Sequence, residues 1–242
     1  MTSVRSFGLD EIPWSEVGRV LGEDPRLIVA AGALEQHGPH LPLGANTRIA
    51  EAVVRRVSER LGILRAPTLS YGVVVPGGPY PGRAGIRRKT LHRVINELFA
   101  QWEDQGVEEF VVVTAHRFEP HLEPLLMALT DRAKKSVYDL YEIDVSDLLE
   151  TDPEQEHGGE LETSLMLHLA PELVRRDAAE DFVPEGSALR RYTRRRVPKG
   201  PPSSRGVIGS PSRADAAKGG RILHRWVETL VATLGGRARR VG

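Results

Sequence analysis

The stretch from Gly32 to Asn46, GALEQHGPHLPLGAN, concentrates groups able to do chemistry where an apolar run passes into polar, glycine-rich sequence. Glu35 and His37 are two residues apart, so on an extended backbone their side chains project to the same side. A carboxylate and an imidazole placed together suit Zn²⁺, Mn²⁺ or Fe²⁺, and Gly38-Pro39 permits a sharp turn that brings the next residues back. An isolated pair of this spacing more often reads as a paired, capped loop. His116 closes the run EEFVVVTAH and supplies a second candidate ligand. A third cluster, EHGGELETS from Glu156 to Ser164, opens a helical pattern, where backbone amides favour an anion or a developing oxyanion. The same cluster also reads as an ordinary acidic first turn with its caps.

These groups need elements that bring them together. LIVAAGAL from Leu27 reads as a buried strand, and TRIAEAVVRRVSERLG as an amphipathic helix. ILRAPTLSYG, EEFVVVTAH and SVYDLYEIDV read as further strands. KTLHRVINELFAQWEDQG, PHLEPLLMALTDRAKK opened by Pro120, and GELETSLMLHLAPELV read as helices between and after them. Strands alternating with helices predict an α/β fold: one domain over residues 1–242, with a mostly parallel sheet and helices on both faces. In such sheets ligands bind at the carboxyl ends of strands, where Glu35, His37 and His116 fall. From about 175 to 220 the periodicity fades into Pro, Gly, Ser and Arg, which predicts a long loop or lid carrying a basic run. ADAAKGGRILHRWVETLVATLG predicts a last helix against the sheet.

Composition narrows the partners. The 242 residues hold 33 Lys+Arg and 33 Asp+Glu, so no global field draws nucleic acid or an anionic membrane, and a small molecule is the expected partner. With no cysteine, metal ligands must come from His, carboxylates and amides. No apolar run approaches a membrane span and the N-terminal residues lack a signal-peptide core, which predicts a cytoplasmic protein. His92, His168 and His224 sit in helical patterns as surface or core residues. His40 and His121 lie beside the candidate ligands without a settled role.

EQHGPHLPLGANTRIA resembles the signature of the creatininase (creatinine amidohydrolase) family, in which the same run is followed by Thr-Asp rather than Ala-Asn. The resemblance continues through PYPG at Pro79 to Gly82, Thr90-Leu91, the V-V-V-x-x-H strand end, EHGGELETSLML, and GVIGSP with Ala214 and Lys218-Gly219, in family order. It implies an α/β fold, hydrolysis of C–N bonds in cyclic or linear amides, a one- or two-metal centre that activates water, and a homo-oligomer, commonly a hexamer. The family's ligand positions fall on Glu35, His37, Asn46 and His116, and its catalytic pair on Glu156 and His157. Tyr80, Arg83, Arg117 and Glu119 are the expected substrate contacts. Three departures mark this chain. Asn46 replaces the bridging aspartate, Phe118 stands where creatininase has a glutamate, with Glu119 one position late, and the segment from Gly72 to Arg83 loses its polar residues. A neutral amide bridges two cations poorly, so one divalent ion is expected, zinc first and manganese or iron as alternatives. The same departures leave open a non-hydrolytic cyclisation or dehydration, or a metal-free binding protein.

Overall fold

The computed structural model describes residues 7–75, 79–151, 156–183 and 201–236. Four strands form one parallel sheet, β1 (Arg26–Ala31), β2 (Leu64–Arg65), β3 (Glu109–Thr114) and β4 (Lys134–Asp139), in the order β2-β1-β3-β4. β1 and β3 pair along their whole length, from Arg26 opposite Glu109 to Ala31 opposite Thr114. Among the described residues six α-helices accompany them: α1 (Trp14–Glu23), α2 (Ala45–Leu61), α3 (Arg88–Asp104), α4 (Glu119–Leu126), α5 (Glu160–Leu169) and α6 (Ala216–Gly235). Among the described residues no helix is long and apolar enough to cross a membrane.

Strand alternation divides the core in two. Ile28 and Ala30 of β1 and Val111 and Val113 of β3 face one side, where Ile49 and Val53 of α2, Leu165 of α5 and Trp226 of α6 cover them. Leu27, Val29, Phe110 and Val112 face the other, against Ile95 and Phe99 of α3 and Leu125 of α4. Both faces are covered, which is why β1 and β3 read as continuous apolar runs.

Three expected elements come out shorter. The strand expected over ILRAPTLSYG forms a ladder only at Leu64–Arg65. Pro67 has no N–H to donate, and contact with β1 resumes only at Leu69, whose N–H donates to Ala30 O at 2.9 Å. The helix expected to reach Lys135 stops at Leu126, with Pro124 inside it. Glu103 at the end of α3 accepts the N–H groups of Asp131, Arg132 and Ala133, removing them from any helical ladder, and Lys134 enters β4 instead. β4 ends at Asp139 because its carboxylate caps a 3-10 turn by accepting the Tyr141 N–H at 3.1 Å. α1 was not expected from the sequence.

The expected lid is partly tied down. Ile208 pairs antiparallel with His157, and Phe182 with Gly209. Residues 184–200, which carry most of the basic run, lie outside the described residues.

Candidate active site

The site lies where β1 and β3 end. After Ala31 the chain turns through Gly32, whose Cβ position would lie 2.5 Å from Thr47 Cα, so only glycine lets the β1 exit lie against the start of α2. That approach brings Asn46, in the first turn of α2, beside Glu35 and His37. His116 arrives two residues beyond the end of β3. Gly158, at φ 61, packs its Cα so close to the His37 carbonyl that a Cβ would stand 2.6 Å from that oxygen, which seats His157 and the start of α5 on the same loop.

Glu35, His37, Asn46, His116 and His157 are all buried. Asn46 Nδ2 lies 3.0 Å from Glu35 Oε1 and 3.1 Å from His116 Nδ1, while its Oδ1 lies 3.0 Å from His37 Nε2. The carboxylate sets the amide's orientation, since only the nitrogen can donate to it. Each imidazole keeps one nitrogen on a backbone carbonyl: His37 Nδ1 on Glu35 O at 3.2 Å, His116 Nε2 on Val73 O at 2.8 Å, and His157 Nε2 on Gln36 O at 2.7 Å. A carbonyl only accepts, so these nitrogens carry protons. His37 Nε2 faces the Asn46 oxygen, and His116 Nδ1 faces Glu35 Oε1 at 3.0 Å, so both inner nitrogens meet acceptors, which a ring proton or a bound cation satisfies. Glu35, His37 and His157 each offer a ligand atom within 4.8 Å of the others, so the donor set fits a divalent cation. His116 stands beside that group, against Glu35.

The electrostatics agree with a pocket built for positive charge. Burial raises the Glu35 carboxyl, but attraction and a hydrogen bond to His116, then His157 and His37, hold it well below the ordinary carboxylate range. Burial opposes charge on His116 as well, and Glu35 outweighs it and raises the ring. Burial and repulsion from His37 lower His157. His40, bonded through Nε2 to Thr163 Oγ1 at 2.9 Å, is lowered to about 4 by burial and His37. Burial lowers His121 well below its ordinary value.

Glu162 was not singled out from the sequence, where it reads as helix-start acidity. Its Oε1 lies 3.7 Å from His37 Nε2 and accepts the Tyr141 hydroxyl at 2.5 Å, and its Oε2 accepts the Gly158 N–H at 2.6 Å. Burial raises it, and His37, His157 and Tyr141 together leave it lowered, hence ionised. Glu156, by contrast, turns under α5: its Oε1 accepts from Leu161 N at 2.7 Å and Glu162 N at 3.3 Å. Burial and the Glu162 charge raise it to about 8. Glu156 thus bonds the start of α5, while the His157 ring bonds the Gln36 carbonyl.

Arg117 and Glu119 line a cavity of about 720 Å³ with Phe118, Tyr141, Asp139 and Leu161. Tyr141 connects this cavity to Glu162, and Phe118 packs its ring 5.7 Å from His116. Glu119 is exposed at the first turn of α4. Arg117 lies over the Tyr141 ring at 4.8 Å and donates to its carbonyl at 3.0 Å. Tyr80 and Arg83 are half-buried in the loop that crosses the β1 exit, where Ala84 pairs with Leu34, and Arg83 donates to Val75 O. Neither lines the cavity.

The molecule is thus an α/β protein whose strand ends carry a buried carboxylate–imidazole centre. The chain belongs to the creatininase family, whose sequence model, described as creatinine amidohydrolase, matches residues 10–234. It is 29% identical over 250 residues to the creatinine amidohydrolase of Pseudomonas putida, covering 93% of this chain and 95% of that protein. It is 31% identical over 220 residues to the mycofactocin precursor peptide peptidase of Mycobacterium tuberculosis H37Rv, covering 86% and 83%. A crystal structure of creatininase superposes with a TM-score of 0.82 at 27% identity, covering 96% of this chain and 97% of the other. Solved creatininases of similar likeness include manganese and zinc–zinc forms.

Proposed function

We propose that this chain hydrolyses the C–N bond of an amide in a small molecule with one divalent cation, zinc or else manganese or iron, held by Glu35, His37 and His157 with the Asn46 oxygen beside them. The observation that carries the reading is the buried carboxylate ringed by imidazoles, each tethered through one nitrogen to a backbone carbonyl and free to offer the other. When bound, the cation would polarise the amide carbonyl and acidify the attacking water. His116 supports Glu35 from the far side. In this reading His157 joins the ligand set expected from sequence and His116 stands behind it.

Glu162 is the base in this reading. Its Oε1 is ionised, faces the inner nitrogen of His37 and takes the proton from the attacking water. The same oxygen returns that proton to the departing nitrogen, while Tyr141 holds the carboxylate in place. Positioned acid–base groups of this kind contribute about a hundredfold to ten-thousandfold in rate. The non-reacting part of the substrate occupies the cavity between Arg117 and Tyr141, with Glu119 at its edge. Tyr80 and Arg83 close the opposite side of the loop.

Protein purified without chelator should carry one ion per chain and add one water to an amide, with creatinine, formamides and short peptides as the panel. Glu162→Gln should keep the ion and lose turnover. Full activity in ion-free protein would remove the metal from the reading, and a product that has lost water would favour the cyclisation or dehydration alternative, which the Asn46 and Phe118 departures motivate. We read the working form as a cytoplasmic homo-oligomer, with the hexamer supported by family resemblance and tested by sedimentation.

A further inference from the structure

His121 lies outside the ligand group, fully buried on α4, with its ring 4.7 Å from that of His116. The two rings are joined through one backbone residue. Val73 donates its N–H to His121 Nδ1 at 3.2 Å, and its carbonyl accepts from His116 Nε2 at 2.8 Å. An amide N–H only donates, so His121 Nδ1 must hold a lone pair, and a carbonyl only accepts, so His116 Nε2 must hold its proton. His116 Nδ1 is thereby the nitrogen that faces Glu35 and Asn46.

Val73 lies outside any strand, so no ladder fixes its peptide. Its neighbour Gly72 is pressed so closely that a Cβ there would stand 2.5 Å from both Gly32 O and His121 Nδ1. Gly72 O accepts the Ile86 N–H at 2.9 Å, which leaves the Val73 N–H as the group His121 must hold. His121 Nε2 has no partner among the described residues, so the bond to Val73 is what the buried polar ring contributes there. Without it the Val73 N–H would be buried unpaired, a situation native structures avoid.

We propose that His121 is a positioning residue: by accepting the Val73 N–H it fixes the Val73 peptide, and through that carbonyl the tautomer and aim of His116 against Glu35. The affinity arm of the test rests on the metal reading above, whereas the tautomer arm does not. Ring-nitrogen NMR of ion-free protein, at a pH where the ring is neutral, should show His116 protonated at Nε2. His121→Leu should lose that single tautomer and bind Zn²⁺ about tenfold to a hundredfold more weakly. His121→Asn, whose amide oxygen can stand where Nδ1 stood, should restore both. His121→Gln, with its acceptor one methylene further out, should not, which keeps the comparison informative if the leucine variant fails to fold. An unchanged His116 tautomer in His121→Leu, or equal behaviour of the Asn and Gln variants, overturns the proposal. Failure of the wild type to bind Zn²⁺ would count against the metal reading alone, because the tautomer comparison stands without it.

Discussion

Asn46 donates its side-chain N–H to Glu35 at 3.0 Å, both side chains buried. The same amide presents its oxygen to His37 and its nitrogen to His116. A hydrogen-bonded amide thus joins two halves of a centre in which an aspartate would have set a second carboxylate against Glu35. Two carboxylates at that separation repel unless positive charge lies between them.

Asn46→Asp should therefore raise the ion content from one to two per chain when Zn²⁺ is supplied, and lower thermal stability when Zn²⁺ is withheld. Elemental analysis paired with melting curves, with and without the ion, measures both. Two tightly held ions in the wild type would refute the amide's role.

His157 and His116 should differ in kind. His157→Ala and His37→Ala remove ligands of the mutual group and should abolish stoichiometric ion binding. His116→Ala removes a supporting contact to Glu35 and should retain the ion with about tenfold to a hundredfold weaker affinity. Calorimetric titration separates these outcomes, and equal loss in all three variants would return His116 to the ligand set.

Glu156 gives a pH dependence with a definite sign. Its folded pKa is raised from 4.5 to about 8, so the protonated side chain favours the fold, with the contribution fully present below the unfolded value and lost as pH rises towards about 8. Glu156→Gln, which keeps an acceptor for Leu161 and Glu162, should flatten the decline in stability between about pH 4.5 and 8 and leave ion binding intact. Denaturant midpoints across that range test it. An unaltered slope would mean that the carboxyl is already ionised in the fold.

Glu103 predicts the opposite sign. Burial raises its carboxyl, but three backbone N–H groups and Arg132 outweigh this and hold it lowered, so its stabilisation is present above the unfolded value and lost as pH falls through the folded one. Glu103→Ala orphans the N–H groups of Asp131, Arg132 and Ala133 and should cost on the order of 2–3 kcal/mol. Ion affinity should stay at the wild-type value, since Glu103 ends α3, remote from the imidazoles. Chemical unfolding checks the first claim and ion titration the second.

Much of this architecture is written in local pattern. The apolar runs of β1 and β3, each covered on both faces, and the spacing in α2, α3 and α6 follow from one-dimensional periodicity, because burial on a regular element repeats with its geometry. The two-residue spacing of Glu35 and His37 after a buried strand, and the His116 at the end of another, likewise pointed to one edge of a sheet, and the resemblance to creatininases added Asn46. What only the folded chain decided are pairings across long separations in sequence. Glu162 and Glu156 sit in the same acidic helix start, yet one faces His37 and the other folds under α5, a choice made by the left-handed turn at Gly158 against the His37 carbonyl. The tautomers of His37, His116, His121 and His157 are set by backbone groups of Glu35, Val73 and Gln36, and a backbone carbonyl or N–H has no letter of its own in the sequence. Residue types specified which chemistry was available, while the crossing of loops at the strand ends decided which nitrogen of each ring is free to use it.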